Sequence, residues 1–267
     1  MDTYTRTPEQ VLAALFREPV DDEAANDSQR PIPKHKRVRG ALLRDEQDTT
    51  APQSDELFGW IAREARERGL PAKKPLVLIM DGQEALWDSG LKHLAQDEFT
   101  VTEILDLIHV TQYAWKASHV FYAKGSDEAE DYARQHIRRL LNNGVHEVID
   151  LLHEKSQQVP LSSKAVETLE TVCTYFTNQA HRMRYRDYLE KGYPVASGVI
   201  EGACRHVVKD RMEQSGMRWT MKGAHAMLGL RSIQLSGLWD DFMKRWQNEE
   251  ARRLYPQREE AENDELY

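Results

Sequence analysis

Residues 75–87 read PLVLIMDGQEALW, and the fold turns on how this stretch is read. Leu76, Val77, Leu78, Ile79 and Met80 form an unbroken apolar run that stops at Asp81 and Gly82. A short continuous run of this kind predicts a strand covered on both faces, as in a parallel sheet. Helical spacing follows over 85–94, and FTVTEILD at 99–106 predicts a second strand. Strand, helix, strand is a βαβ unit, which favours parallel pairing. Asp81 then ends the first strand and Asp106 the second. Ligands of open α/β sheets gather at the carboxyl ends of parallel strands, so two carboxylates are expected at one edge. Asp-Gly is also an ordinary turn dipeptide, and at this point both readings of Asp81 stand.

Upstream, Thr7 is expected to cap a short helix with Pro8 at its first position and Val11, Leu12, Leu15 and Phe16 on one apolar stripe. Residues 21–33 are acidic, polar and proline-bearing, as in a linker. Lys34, His35, Lys36 and Arg37 form the densest basic cluster, leading into 38–43, read as a short strand, and then a loop over 45–54. Ser54 is expected to start a helix with Leu57, Trp60, Ile61 and Ala65 on one face and Gly69 at its end. Downstream, 110–191 is helical almost throughout, as Ile137, Leu140, Leu141 and Val145 illustrate. A helix starting near Ser197 is expected to carry VIEGACRHVVKDRM, another to span 222–235, and the charged stretch 251–267 to fray.

Across 267 residues the formal net charge is −8, so any nucleic acid must be met by local basic patches. Two cysteines, Cys173 and Cys204, without CxxC spacing, predict neither a disulfide framework nor a structural zinc site. Together with the absence of any apolar run near the roughly 18 residues of a membrane span, this points to a cytoplasmic protein.

A third acid, Glu201, stands near the start of its helix in an otherwise apolar and small stretch. Helical spacing puts Glu201, Arg205 and Lys209 on one face, beside a buried stripe of Ile200, Cys204 and Val207. The competing reading is an ordinary i,i+4 ion pair on a solvated helix. Carboxylates that converge repel one another unless a cation bridges them, and Mg²⁺ (or Mn²⁺) suits oxygen ligands and phosphate substrates. Asp106 and His109 are read either as a ligand set or site support, or as a helix cap with a packed histidine. Trp87, Trp115, Trp219 and Trp239 are expected in the core.

MDGQEALW, ILDLIHVTQYAWKA, SGVIEGACRHVVKDRMEQSGMRW and KGAHAMLGLRS together resemble bacterial insertion-sequence transposases of the ISKra type, within the Mutator-like group of DDE transposases. The resemblance runs in order from Lys34 to Trp239. It implies a predominantly helical α/β chain: an RNase H-like core interrupted by a large all-helical insertion, with Mg²⁺-dependent cleavage and joining of DNA. It assigns Asp81 and Glu201 as catalytic metal ligands, Asp106 and His109 to the group's aspartate-histidine motif, and Arg218-Trp219 to the signature after the glutamate. The expected DNA contacts are Lys34, Lys36, Arg37, Arg205, Lys209 and Arg211.

The resemblance divides the chain into 1–33 (helix and linker), 34–110 (core, first part), 111–191 (insertion), 192–245 (helices carrying Glu201) and 246–267 (charged tail). The family's first catalytic aspartate and its strand have no counterpart here, so a truncated or split member with an incomplete core and little activity alone is expected. Expected partners are transposon-end and target DNA and a second copy or full-length transposase, with nucleoid association and no membrane. The alternatives are a non-enzymatic transposase-derived fragment that binds DNA or regulates, and a different metal-dependent phosphohydrolase.

Overall fold

The chain enters its first helix, α1 (Pro8–Leu15), through a reciprocal cap. The Thr7 hydroxyl accepts from the Gln10 amide at 3.2 Å while the Gln10 side chain accepts from the Thr7 amide at 2.9 Å. Val11 and Leu12 are buried and Leu15 and Phe16 pack beside them, as the stripe predicts. The computed structural model describes residues 5–18, 34–42, 54–69, 75–95, 99–197, 205–213 and 216–255. The expected linker at 21–33 lies outside them. The chain divides into two compact units, Met1–Pro31 with Ser54–Gly198, and Ile32–Gln53 with Val199–Tyr267.

In the first unit α2 (Ser54–Glu67) precedes β1 (Leu76–Met80), α3 (Glu84–Leu94) and β2 (Val101–Leu105). Gly69 follows α2 with φ +58°, the left-handed conformation that suits a helix end. The buried residues of α2 are Phe58, Ala62 and Ala65, so its core stripe sits one residue beyond the expected Leu57, Trp60 and Ile61. Gly90 on α3 explains the shift: a Cβ there would come within 3.2 Å of the Phe58 ring and 3.1 Å of Leu78. That hydrogen-sized side chain admits Phe58 to the sheet.

The βαβ expectation is met. β1 and β2 pair in parallel from Leu76 opposite Val101 to Met80 opposite Leu105. The five β1 residues are only partly buried, contrary to a strand covered on both faces. Among the described residues β1 pairs with β2 alone.

The helical stretch also stands, as α4 (Leu107–Phe121), α5 (Asp127–Leu141), α6 (Val145–Gln158), α7 (Ser163–Gln179), a 3₁₀ turn at Ala180–Arg182 and α8 (Tyr185–Glu190). Leu107, Val110, Ala114 and Ala117 of α4 recur at helical spacing and meet Ile137, Leu140 and Leu141 of α5 and Val172 and Phe176 of α7. Ile104 and Leu105 of β2 belong to this same cluster. The sheet edge and the helices therefore share one core.

In the second unit a π-helical turn (Arg205–Lys209) runs into α9 (Asp210–Met212), followed by α10 (Met221–Leu235) and α11 (Trp239–Leu254). Residues 38–42 form no strand. Serine hydroxyls of and after α10 bond them instead: Ser236 Oγ accepts from the Val38 amide at 2.9 Å and Ser232 Oγ from the Gly40 amide at 2.9 Å. A Cβ on Gly40 would lie 2.8 Å from Val207, so glycine permits the close crossing.

Helix α11 continues to Leu254, beyond the expected start of fraying at 251. Ser197 is not helical, and the expected start of its helix at 198–204 lies outside the described residues. Trp87 is fully buried as expected, whereas Trp219 and Trp239 are exposed rather than core.

Candidate functional site

The carboxyl ends of β1 and β2 define the site. The pairing ends at Met80 opposite Leu105, and the Asp106 amide donates to the Met80 carbonyl at 2.9 Å, which sets Asp81 and Asp106 on neighbouring chains at one edge. Asp81 is held from both sides of its peptide. Its carbonyl accepts the indole N–H of buried Trp87 at 2.8 Å, and its Oδ1 accepts the Gln83 amide at 3.1 Å. Asp81 therefore sits in the expected turn and at the expected strand end, and the turn fixes its carboxylate.

Asp106 is the N-cap of α4, its Oδ1 accepting from the Ile108 amide at 3.1 Å. The helix starts at Leu107, three residues before the expected Val110, so His109 sits in its first turn rather than at a strand end. Asp106 also holds the chain after α8: its Oδ1 accepts from the Ser197 amide at 3.1 Å and its Oδ2 from the Ser197 hydroxyl. The Val195 carbonyl accepts from the Leu107 amide at 3.0 Å beside it. At 7 % exposure and with both oxygens already accepting, Asp106 fits a supporting role better than a principal ligand.

Aromatic side chains back this edge. Tyr113 and Tyr175 stack at 3.8 Å with planes 3° apart, and His109 is 6.2 Å from Tyr113 by ring centroids. Burial, helped by Tyr113 and by the Asp81 and Asp106 charges, pushes the Tyr175 phenol up, so it stays neutral. Tyr175 lies so close to Gly82 that a Cβ there would fall 2.8 Å from its hydroxyl.

Sequence reasoning missed Arg182. This side chain is 4 % exposed yet reaches three elements. Its Nε donates to Glu103 of β2 at 2.7 Å, its Nη1 donates to Gln179 of α7 at 2.8 Å and lies 3.4 Å from Glu84 of α3, and its guanidinium sits 4.2 Å above the Trp87 ring. Gln179 in turn donates to the Gly82 carbonyl at 3.4 Å. The arginine ties α7 to β2 and α3 and, through Gln179, to the Asp81–Gly82 turn.

A divalent ion would find in Asp81 a partly exposed carboxylate that uses only Oδ1 in the described hydrogen bonds. Hard oxygen ligands with room for water are the chemistry Mg²⁺ requires, so Asp81 fits. Among the described residues no group of three acidic, histidine or cysteine side chains could hold a metal, and the expected partner Glu201 lies outside them.

The expected DNA contacts fall in the second unit. Lys34, Lys36, Arg37, Lys209 and Arg211 are exposed, and Arg205 opens the π-helical turn. That turn departs from the α spacing assumed for Arg205 and Lys209, since its bonds run i→i+5. Both groups are anchored on α10: Arg231 donates to the His206 carbonyl at 2.7 Å, and Ser232 and Ser236 hold the 38–40 backbone. The described residues of this unit hold 14 Lys and Arg against 6 Asp and Glu, and the acids that offset them fall at 43–53 and 256–267. No family model, no curated protein and no solved structure matches this chain.

Proposed function

We propose that this chain carries catalytic acids of a DDE transposase and acts on DNA phosphodiesters with Mg²⁺ or Mn²⁺. The observation that carries the reading is the placement of Asp81 and Asp106 at the carboxyl edge of one parallel strand pair. Ser197, fixed on Asp106, adds to it. Glu201 follows Ser197 by four residues in the sequence.

In this reading Asp81 and Glu201 hold the ion. Asp106 orients the Asp81 edge and the segment at Ser197, and His109 stands one helical turn along from Asp106. Lys34, Lys36, Arg37, Arg205, Lys209 and Arg211 neutralise DNA phosphates. When bound, the ion supplies charge stabilisation of the attacked phosphate and a lowered pKa for its water.

Incubating the full chain with supercoiled plasmid and Mn²⁺ tests this. The reading expects DNA binding with weak nicking, and Asp81→Asn should lower the nicking rate by about 100-fold while binding and helicity persist. Nicking that survives Asp81→Asn contradicts the assignment. Binding without nicking in either protein assigns the chain to the regulatory alternative.

A further inference from the structure

Gly82 is a glycine for reasons of space. Its φ lies outside the left-handed region, so backbone strain does not call for a glycine here. The obstacle is Tyr175 of α7: a Cβ on Gly82 would lie 2.9 Å from Tyr175 Cζ and 2.8 Å from its hydroxyl oxygen, closer than such atoms pack. The ring is itself held, stacked on Tyr113 at 3.8 Å with planes 3° apart. Tyr113 belongs to α4, the helix that Asp106 caps.

One helical turn further along α7, Gln179 meets the same glycine. Buried positions on α7 recur as Leu169, Val172, Cys173, Phe176 and Gln179, so this amide occupies a place on the apolar stripe. It is 3 % exposed, and a primary amide there is costly unless its hydrogen bonds are made. Arg182 Nη1 donates to its Oε1 at 2.8 Å, which turns Nε2 toward the Gly82 carbonyl and Glu84, each at 3.4 Å. A leucine would fill the stripe; the glutamine adds a tether to the residue after Asp81. Trp87 of α3 holds the Asp81 carbonyl, and α7 holds the next residue.

We propose, on the reading that Asp81 binds a divalent ion, that Tyr175 and Gln179 are positioning residues for that ion. They set the place of the Asp81 carboxylate by holding Gly82. Among the described hydrogen bonds only the Gln83 amide reaches the carboxylate itself, so its position follows the turn. Losing supporting contacts of this kind typically costs a bound metal about 10- to 100-fold in affinity.

Mn²⁺ titration of the full chain, with free ion followed by electron paramagnetic resonance, tests this in Gly82→Ala, Tyr175→Leu, their double and Gln179→Met, each with circular dichroism matching the parent's. Every single substitution should weaken Mn²⁺ binding by about tenfold. Gly82→Ala drives a methyl group into the ring, Tyr175→Leu frees the glycine, and Gln179→Met keeps the volume but drops the tether.

The double variant decides the mechanism. Its methyl enters the space left by the ring, so it should bind no more weakly than either single. Independent effects would multiply to about 100-fold. Parent-like affinity in any single variant, or a multiplicative double, overturns the proposal; the reading of Asp81 stands if Asp81→Asn still weakens the ion. An ion indifferent to Asp81→Asn, or a parent that binds none, overturns both.

Discussion

Acidification from pH 7 to pH 4 should remove about 3 kcal/mol of stability through one side chain, His136. This residue of α5 is 3 % exposed, and neither ring nitrogen has a hydrogen-bond partner among the described residues. Its ring meets Tyr132 edge-on at 4.2 Å. Burial, foremost, and the positive charges of Arg139 and Lys155 push its pKa down to about 4, with Glu147 opposing. In the unfolded chain the same imidazole takes its proton near 6.5.

Between those two values the unfolded state binds more protons, so stability falls as pH falls through this window, and the loss is complete below the folded value. Urea unfolding at pH 7 and pH 4 measures it. His136→Phe keeps the aromatic contact and removes the titration, so the variant should lose about 3 kcal/mol less between the two pH values than the parent. Equal losses in parent and variant would mean that the imidazole is not held neutral by the fold.

The second large effect belongs to Arg182. Glu103→Ala takes away the closest partner of a cation that is almost wholly buried, leaving the charge with Gln179, the more distant Glu84 and the Trp87 face. Breaking a buried pair in this way costs about 3 kcal/mol, or about 10 °C in Tm for a unit of this size. Replacing both partners with apolar groups, Glu103→Leu with Arg182→Met, should recover most of that loss, because no stranded charge remains. Thermal unfolding of the three proteins decides it. A double variant as unstable as Glu103→Ala would show that the cost is packing and not charge.

These two groups also show where the sequence stops being readable. Local chemistry was legible: the Thr7 cap, the apolar run ending at Asp81, the βαβ order and the helical period through α4 and α5 all follow from neighbours a few residues apart. Arg182 was not, because Glu103 and Glu84, its carboxylate partners, stand far upstream and only the fold brings them together. The same holds for Ser197, which pattern reading takes for a helix start and which the structure spends on the Asp106 carboxylate. Residues 38–42 look like a strand by composition. Their backbone finds serine hydroxyls of the α10 region rather than a neighbouring strand, a choice that no local propensity encodes.

Of the site, the positions of Asp81 and Asp106 were legible from the strand ends. Their different states were not. Asp81 uses only Oδ1 in the described hydrogen bonds, while both oxygens of Asp106 are engaged in capping α4 and holding Ser197.

The claim on which the functional account rests is that Asp81 holds a divalent ion at the sheet edge. Titrating the full chain with Mn²⁺, with free ion followed by electron paramagnetic resonance, tests it directly. The account predicts saturable binding that Asp81→Asn weakens by about tenfold or more with no change in fold. Binding of equal strength in the variant, or none in the parent, would contradict it.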